Sequence, residues 1–339
     1  MHLIYPKRDI IIPHIKQGPH LKIKGEARFV LMDLMGRTVY DSGYKKNLIT
    51  NNGLAKLTAS DSWATYCALG DSNQAPAVTD TSLIGNNLGQ NSSFRTGAAL
   101  TVNGAPNYEF SQGKGWRWNA GVATGTIREA IVYTSNLSYN DITSRILVTP
   151  EITKSVDQVL DVYWRWTIYP DLGSTVTNNV NIPLDGVDTF YNVTSCGVGY
   201  YYRNSPSGSS VFRQLGVFNS QSAVAWDGPL TSFDPTSNNV SGGRDDGYPN
   251  YWDMSHGGYT FSGPDSGYRD VTISAGLDAG NTGHPTPPGN GIRVLEVIWD
   301  HNYAHAFQFD DVIGGGTNLI PKDNTRLCSI VVRNTWSRM

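Results

Sequence analysis

Two histidines form the most suggestive metal-binding pattern in the sequence. His301 and His305 lie four residues apart in the stretch DHNYAHAFQFDD, the spacing at which a helix presents two zinc ligands on one face. The neighbouring residues alternate instead, so that the histidines share one face of a strand with Tyr303, Phe307 and Phe309. Residues four apart on a strand are separated by about 13 Å, too far to share one ion. The pattern therefore predicts a strand, and we expect no metal and no cofactor.

Four carboxylates near these histidines offer a second kind of chemistry. A glycosidase needs two carboxylates at a fixed separation, and the available side chains are Glu296, Asp300, Asp310 and Asp311. Nothing in their spacing sets such a separation. The sequence also lacks a Gly-x-Ser-x-Gly elbow, a phosphate-binding loop and a Cys–His signature. We expect that the protein is not an enzyme and has no catalytic residues.

The stretch GGRDDGYPNYWDMSHGG combines acidic and aromatic side chains. Its acids do not have the spacing of a calcium-binding loop, which favours ordinary turn residues; they are Asp245, Asp246 and Asp253. Its aromatic side chains are Tyr248, Tyr251 and Trp252. Aromatic side chains can stack on a glycan or pack against a neighbouring subunit, because Tyr and Trp are enriched at interfaces. The sequence does not choose between these two kinds of contact.

The triplet Trp-Arg-Trp occurs twice, at Trp116–Trp118 and at Trp164–Trp166. On a strand the two tryptophans of a triplet point to one side and the arginine to the other. Such a pair can form an aromatic platform for a sugar. Both triplets lie within strand patterns rather than in loops, and Trp is highly buried on average. We therefore expect the tryptophans to pack in a core, with the arginines at the surface.

The composition favours a strand-rich chain with a weakly charged surface. Charged residues make up 16% of the 339 residues, against about 25% in ordinary globular chains. The chain holds 36 glycines and 17 prolines, which supply the backbone angles of turns between many short strands. We expect an all-β fold of two β-sandwich-like domains in which much of the surface faces other protein.

Charge and hydropathy argue against several classes of protein. The formal net charge is −3 and the basic residues form no stripe, so we expect no nucleic-acid partner. No apolar run reaches the ~18 residues of a membrane span, and Asp9 interrupts the first apolar stretch, so we expect neither membrane insertion nor a signal peptide. The three cysteines lie far apart, which argues against a disulfide framework and fits assembly in a reducing cytoplasm.

The first residues predict an arm that precedes a folded domain. Apolar side chains without a clear period, interrupted by proline, cannot form a core of their own. We predict that this arm docks on a neighbouring protein through four isoleucines: Ile10, Ile11, Ile12 and Ile15. The alternative is that the arm folds back and covers an edge strand of its own sandwich.

One short helix interrupts the strand patterns. Thr50 is placed to cap it by accepting a hydrogen bond from the N–H of Gly53. Ile49 and Leu54 would form a hydrophobic staple, and Leu57 shares a face with Leu54. We predict a helix of a few turns that covers one open end of the first sandwich. Its fold-determining residues would be Thr50, Leu54 and Leu57.

The polar stretch YPDLGSTVTNNVNIPLDG predicts a domain boundary. We assign residues 1–19 to the arm, 20–170 to the first sandwich and 171–339 to a second β-rich domain. Within the latter, residues 227–267 form a long tract rich in Gly, Asp, Ser, Asn and Tyr. Irregular loops of this length are usually functional or are ordered by a neighbour.

Five short motifs occur in a fixed order in the first domain. They are Asn47–Thr50, Thr79–Leu83, Gly125–Glu129, Ser144–Leu147 and Ile152–Lys154. In this order, over roughly half of the chain, they resemble the opening domain of tail-associated virion proteins of tailed bacteriophages. The second half carries no comparable resemblance.

The resemblance implies a structural part of the virion, such as a tail, baseplate, adaptor or fibre-anchoring subunit, assembled in the host bacterial cytoplasm. Its implied partners are other phage tail proteins, and we expect a homo-oligomer in the particle. The motifs would determine the fold rather than form a site. Glu129 and Arg145 would pair across strands, which is worth only about 0–1 kcal/mol at an exposed position. The alternative function is a receptor-binding protein that recognises a host surface glycan through the loop aromatics.

Overall fold

The computed structural model describes residues 9–15, 20–56, 64–92, 101–103, 109–134, 141–170, 176–184, 187–199, 222–226, 251–253, 259–261, 268–275, 292–298, 303–311, 320 and 327–339. Within these ranges the protein is all-β with a single short helix, as the sequence predicts. The structural statements that follow concern these residues.

The first half of the chain supplies twelve strands and the helix. They are β1 Ile10–Ile15, β2 His20–Met32, β3 Thr38–Asp41, β4 Lys45–Lys46, β5 Leu48–Ile49, α1 Asn51–Lys56, β6 Tyr66–Gly70, β7 Asn87–Asn91, β8 Thr101–Asn103, β9 Glu109–Trp118, β10 Gly125–Tyr133, β11 Ile142–Lys154 and β12 Val159–Pro170.

The second half supplies nine more strands. They are β13 Val176–Leu184, β14 Val187–Gly199, β15 Ser222–Trp226, β16 Tyr251–Asp253, β17 Tyr259–Phe261, β18 Tyr268–Ala275, β19 Val294–Ile298, β20 Tyr303–Asp311 and β21 Cys328–Arg338. Two of them, β16 and β17, lie in the tract 227–267 that was predicted to be irregular. β13 lies in the stretch predicted as a linker, so these two sequence predictions are corrected.

The largest sheet has ten strands and follows the order β17-β18-β21-β2-β12-β9-β8, with β1, β3 and β4 on its flanks. Its centre is the long antiparallel pair of β2 and β12, in which Ala27 lies opposite Trp164. Alternation along β2 turns Ile23, Ala27 and Phe29 inward, and all three are buried. The charged residues between them point to the other face, as their spacing predicts.

The five-stranded sheet follows the order β5-β11-β10-β6-β7 and packs its inner face on the ten-stranded sheet. Val132 and Ile146 belong to the shared core. A register shift in β10 between Ile127 and Glu129 changes which residues face inward. Its other face carries a smaller apolar cluster around Ile131 and Tyr133. Both faces of this sheet are therefore covered, which places Glu129 and Arg145 in the interior.

The six-stranded sheet, β13-β14-β20-β19-β15-β16, is built from the second half of the chain. Buried residues of this sheet, among them Ile182 and Phe307, belong to the same apolar cluster as the two other sheets. β20 confirms the strand predicted from the alternating pattern around His305.

The N-terminal segment corrects the prediction of a free assembly arm. β1 pairs in parallel with β21 of the same chain, and Ile10 lies opposite Cys328. Ile10 and Ile12 are buried in the shared core, whereas Ile11 points outward and is 63% exposed. Ile15 lies opposite Val332. Alternation explains the division, because neighbouring residues of a strand face opposite sides. Ile10 and Ile12 therefore stabilise this chain and are not available to a neighbour.

The ten-stranded sheet includes strands from both sides of the predicted boundary at residue 170. β21 pairs with β18 on one edge, and with β1 and β2 on the other. His20 of β2 bonds Thr335 and Ser337 of β21 through its two ring nitrogens, at 2.9 and 3.1 Å. The division into 20–170 and 171–339 therefore does not coincide with a division between sheets.

Candidate functional site

Three of the five motifs meet at a buried ion-pair cluster, which we call the arginine centre: Arg145, Glu129 and Asp80. Arg145 lies on β11, Glu129 on β10, and Asp80 in the loop of residues 71–86 that follows β6. The Arg145 Nε donates to Glu129 Oε2 at 2.8 Å, and Nη1 donates to Asp80 Oδ2 at 2.7 Å. The side chains of Arg145 and Glu129 are fully buried. The predicted pairing of Glu129 with Arg145 is present. Because the pair is buried, the free energy of about 0–1 kcal/mol expected for an exposed pair does not apply.

The arginine centre also binds the backbone of the 71–86 loop. Arg145 donates from Nη2 to the carbonyl of Gln74 at 2.9 Å and from Nη1 to that of Ala75 at 3.3 Å. Glu129 Oε1 accepts from the N–H of Gly85 at 2.6 Å. The guanidinium of Arg145 thus donates four hydrogen bonds to protein oxygens, which compensates the burial of its charge. The cluster holds the loop against the outer face of the five-stranded sheet.

Small residues make room for this cluster. A Cβ atom on Gly70 would lie 2.6 Å from Glu129 Oε1, and one on Gly85 would lie 2.4 Å from Asp71 Oδ1. Side chains larger than hydrogen are therefore excluded at both positions. A fully paired and tightly enclosed arginine is suited to holding structure, because it offers neither an open face nor a free acid–base group to a substrate.

The motif Asn47–Thr50 begins the helix as predicted. Thr50 Oγ1 accepts from the N–H of Gly53 at 2.9 Å and donates to the carbonyl of Ile142 at 2.7 Å. Leu54 is buried, whereas Leu57 lies outside the described residues. A Cβ on Gly53 would lie 2.0 Å from the carbonyl oxygen of Thr143. The N-cap prediction is therefore confirmed, and Gly53 allows the helix to contact the backbone of β11.

Asn47 joins the two layers of the sandwich. With its amide oriented to satisfy its neighbours, it accepts from the N–H of Glu26 at 3.2 Å and from the indole N–H of Trp164. It donates to the hydroxyl of Ser144 at 3.1 Å. Glu26 and Trp164 belong to the ten-stranded sheet and Ser144 to the five-stranded sheet. The first residue of this motif is therefore a polar connection between the sheets.

Lys154 of the Ile152–Lys154 motif holds a strained turn. Its Nζ donates to the carbonyls of Asn119 at 3.1 Å and Val122 at 2.8 Å, and burial lowers its pKa. This turn contains Ala123 with a φ of 53°, in the left-handed region that glycine prefers. Such strain persists only where surrounding contacts impose it. The motif thus shapes the connection between β9 and β10.

A second lysine, the half-buried Lys114, lies in the middle of β9. Lys114 Nζ donates to the carbonyl of Ala64 at 2.9 Å, and burial lowers its pKa to about 8. Two residues further along the strand, Trp116 Nε1 donates to the carbonyl of Thr65 at 3.2 Å. Both side chains tie the segment that precedes β6 to the ten-stranded sheet.

The Trp-Arg-Trp triplets pack as the sequence predicts. All four tryptophans, Trp116, Trp118, Trp164 and Trp166, are buried in the shared core. Both arginines lie on the opposite face. Arg117 binds Asp161 through two hydrogen bonds of 2.6 Å, and Arg165 donates to Glu26 at 2.7 Å. The structure gives no support for a tryptophan platform that binds a sugar.

The other candidate residues do not meet in one site within the described ranges. His305 and Asp311 lie on β20, and Asp310 of that strand pairs with Arg293. Tyr251 and Trp252 lie on β16. His301, Tyr248 and three of the candidate acids lie outside the described residues; these are Asp245, Asp246 and Asp300. No group of three potential metal ligands occurs in the part of the chain that the structure describes.

The described residues include no helix long and apolar enough to cross a membrane. No protein-family model, curated protein or solved structure matches the chain.

The burial of the arginine centre was missed at the sequence level, although a signal was present. Glu129 directly precedes the apolar run AIVY, and Arg145 directly precedes ILV. A charged residue that borders an apolar run within a strand is a signal for a buried ion pair, because an unpaired buried charge is costly.

Proposed function

We propose that the protein is a structural component of a bacteriophage tail, as a tail, baseplate, adaptor or fibre-anchoring subunit, and that it acts through assembly with other tail proteins. The motifs that resemble tail-associated virion proteins support this proposal. They occur in the same order as in that family, over about half of the chain.

The observation that carries the proposal is the arrangement of these motifs in space. Asp80, Glu129 and Arg145 come from three separate motifs and form one buried cluster. Residues of three motifs that are distant in sequence thus meet in one structural unit, so the motifs are expected to occur together wherever this unit forms. The charges of this unit serve the fold, as expected of a subunit that works by presenting surfaces.

The test is the location of the chain in intact particles. We expect mass spectrometry of purified virions to detect the chain, and electron microscopy to place its density in the tail. Particles made without it should lack a complete tail, and supplying the wild-type chain in trans should restore infectivity. Complete, infectious tails in the absence of the chain would contradict the proposal.

The second candidate function is recognition of a host surface glycan. It is favoured by the position of Tyr251 and Trp252 on β16, which is the last strand in the described order of the six-stranded sheet. The full chain should then bind a set of host glycans, and Trp252→Ala should remove binding while particles still assemble. Equal glycan binding by wild type and Trp252→Ala would contradict this role.

A further inference from the structure

Three neighbouring turns at one end of the ten-stranded sheet expose aliphatic side chains. Residues 33–37 follow β2, residues 119–124 follow β9 and residues 155–158 precede β12. The three strands are adjacent and antiparallel, and their register brings these turns to the same end of the sheet. The exposed large apolar residues of these turns, which together we call the apolar end, are Leu34, Met35, Val122 and Val156.

The side chains of the apolar end face solvent and take little part in the core. Met35 is 81% exposed, and Leu34 and Val156 are 66% and 68% exposed. Turns are dominated by Gly, Pro, Asn, Asp and Ser, because these residues favour the backbone angles of a turn. Single exposed aliphatic residues are common on protein surfaces, but a group on adjacent turns is typical of a contact surface.

Hydrogen bonds fix the turns that carry these residues. Asp33 Oδ1 accepts from the N–H groups of Met35 and Arg37, each at 2.9 Å. The carbonyl of Val156 accepts from the N–H of Gly121 at 2.7 Å, which joins the second and third turns. A surface that is already ordered loses less conformational entropy on binding, which favours association.

The charges of the apolar end lie on two of its three turns. Arg37 is exposed on the first turn, where its Nε donates to Asp33 at 2.7 Å. Asp157 is exposed on the third turn, and its carboxylate accepts a hydrogen bond from the Ser155 hydroxyl. No other charged residue occurs in the three turns. The apolar end therefore presents one exposed cation and one exposed carboxylate on different turns.

We infer that two copies of the chain dimerise through their apolar ends about a two-fold axis. An axis between the first and third turns brings the first turn of each copy onto the third turn of the other. Met35 then packs on Val156 of the second copy. Arg37 meets Asp157 of the second copy, once on each side of the axis.

Charge complementarity favours a second copy over a membrane as the occupant of this surface. The turns hold two carboxylates and one guanidinium, a formal charge of −1, so an anionic lipid surface would repel them. Two copies instead place opposite charges together at both ends of the contact. The three turns are fewer residues than the roughly 20–30 per side of a standard interface, so the dimer should dissociate reversibly on dilution.

Sedimentation velocity of the full purified chain over a range of concentrations tests the inference. Wild type should dimerise and should remain dimeric at about 1 M salt, because apolar burial is not screened as exposed charges are. Val156→Asp should weaken dimerisation about tenfold or more, since a charge then enters the apolar contact. Val187→Asp on β14 is the matched control, because Val187 is 67% exposed and lies on the six-stranded sheet. It should leave dimerisation unchanged.

Two charge reversals test the two-fold arrangement. Arg37→Asp and Asp157→Arg should each dimerise more weakly than wild type when examined alone, because like charges meet on both sides of the axis. An equimolar mixture of the two variants should recover dimers, since opposite charges meet again at both positions. These differences should shrink at high salt, because exposed charges are screened. A merely structural role of either residue would not be rescued by mixing.

Three results would overturn the inference. They are a wild-type monomer at every concentration, equal loss of dimerisation in Val156→Asp and Val187→Asp, and no recovery in the mixture of charge variants. Binding of a monomeric chain to phosphatidylcholine vesicles, lost in Val156→Asp, would assign the apolar end to a membrane instead. The inference concerns the purified chain by itself, so it stands or fails independently of the proposed function.

Discussion

At the scale of single residues, the most important side chain is Arg145. Its guanidinium joins two strands and a loop, and both of its carboxylate partners are buried. A buried pair adds little compared with an apolar replacement of the whole cluster, but removing one partner leaves the other charge without compensation. This asymmetry makes Arg145 sensitive to single substitution.

We expect Arg145→Met to lower the free energy of unfolding by about 3–5 kcal/mol, because Glu129 and Asp80 would remain buried without their cation. Denaturant unfolding followed by circular dichroism measures the change. Arg128→Met is the control, since the pair with Glu151 is exposed and is worth about 0–1 kcal/mol. Equal effects of the two substitutions would contradict the structural role of Arg145.

Lys114 predicts a dependence of stability on alkaline pH. Burial lowers its pKa from 10.5 to about 8. Between these values the unfolded chain holds a proton that the folded chain has released, so stability rises with pH over this range. We expect the free energy of unfolding of wild type to increase relative to that of Lys114→Met between about pH 8 and 10.5. A difference that stays constant over this range would show that Lys114 titrates normally when folded.

Sequence patterns predicted the roles of residues that act locally and missed the roles that depend on distant partners. Thr50 caps the helix by accepting a hydrogen bond from an N–H only three residues away, so the local sequence pattern was sufficient to predict the cap. The burial of Arg145 depends on Asp80, 65 residues away, and on a loop whose path no local pattern specifies.

At the scale of elements, the alternation of buried and exposed residues along β1 shows which of its isoleucines pack in the core of this chain. Ile10 and Ile12 enter the core, and Ile11 faces outward. The alternative stated at the sequence level, in which the arm covers an edge of its own chain, describes the pairing with β21.

We expect Ile12→Ala to lower the free energy of unfolding by about 2–5 kcal/mol, the usual range for truncating a buried isoleucine. Ile11→Ala on the same strand removes the same atoms from a position that is 63% exposed and should change stability by less than about 0.5 kcal/mol. Thermal and denaturant unfolding of both variants provide the comparison. If Ile12→Ala were as stable as Ile11→Ala, the docking of β1 on its own chain would be wrong.

Strand prediction succeeded where burial alternates and failed where composition is polar. β12 alternates apolar and polar residues and was recognised from its tryptophans. β13 has the sequence VTNNVNIPL, whose asparagines and proline are typical of turns. Its strand form depends on the long antiparallel pairing with β14, which a single segment cannot specify.

At the scale of the whole molecule, the ten-stranded sheet joins the two halves of the sequence. β18 and β21 come from the second half and lie beside β1 and β2 from the first. Sequence patterns predict the strands whose residues alternate, such as β12, but not the order in which strands pair, because pairing between distant segments leaves no local period.

We expect residues 1–170 expressed alone to show no cooperative unfolding transition, because β1 and one end of β2 would lose their pairing with β21. Addition of residues 171–339 in trans should restore the transition. Differential scanning calorimetry of the fragment, the mixture and the full chain makes the measurement. A fragment with a sharp transition of its own would support the division at residue 170 and contradict folding of the two halves as one unit.

The late position of β21 in the sequence has a consequence for biosynthesis. The ribosome releases strands in chain order, and β21 is the last of the described strands to emerge. Until then β1, one end of β2 and β18 lack their shared neighbour. Open strand edges promote aggregation, and incompletely folded intermediates with exposed apolar surface do the same. A product cut short before β21 is therefore expected to be removed by cellular proteases, so the fold itself selects chains that have been translated at least through this strand.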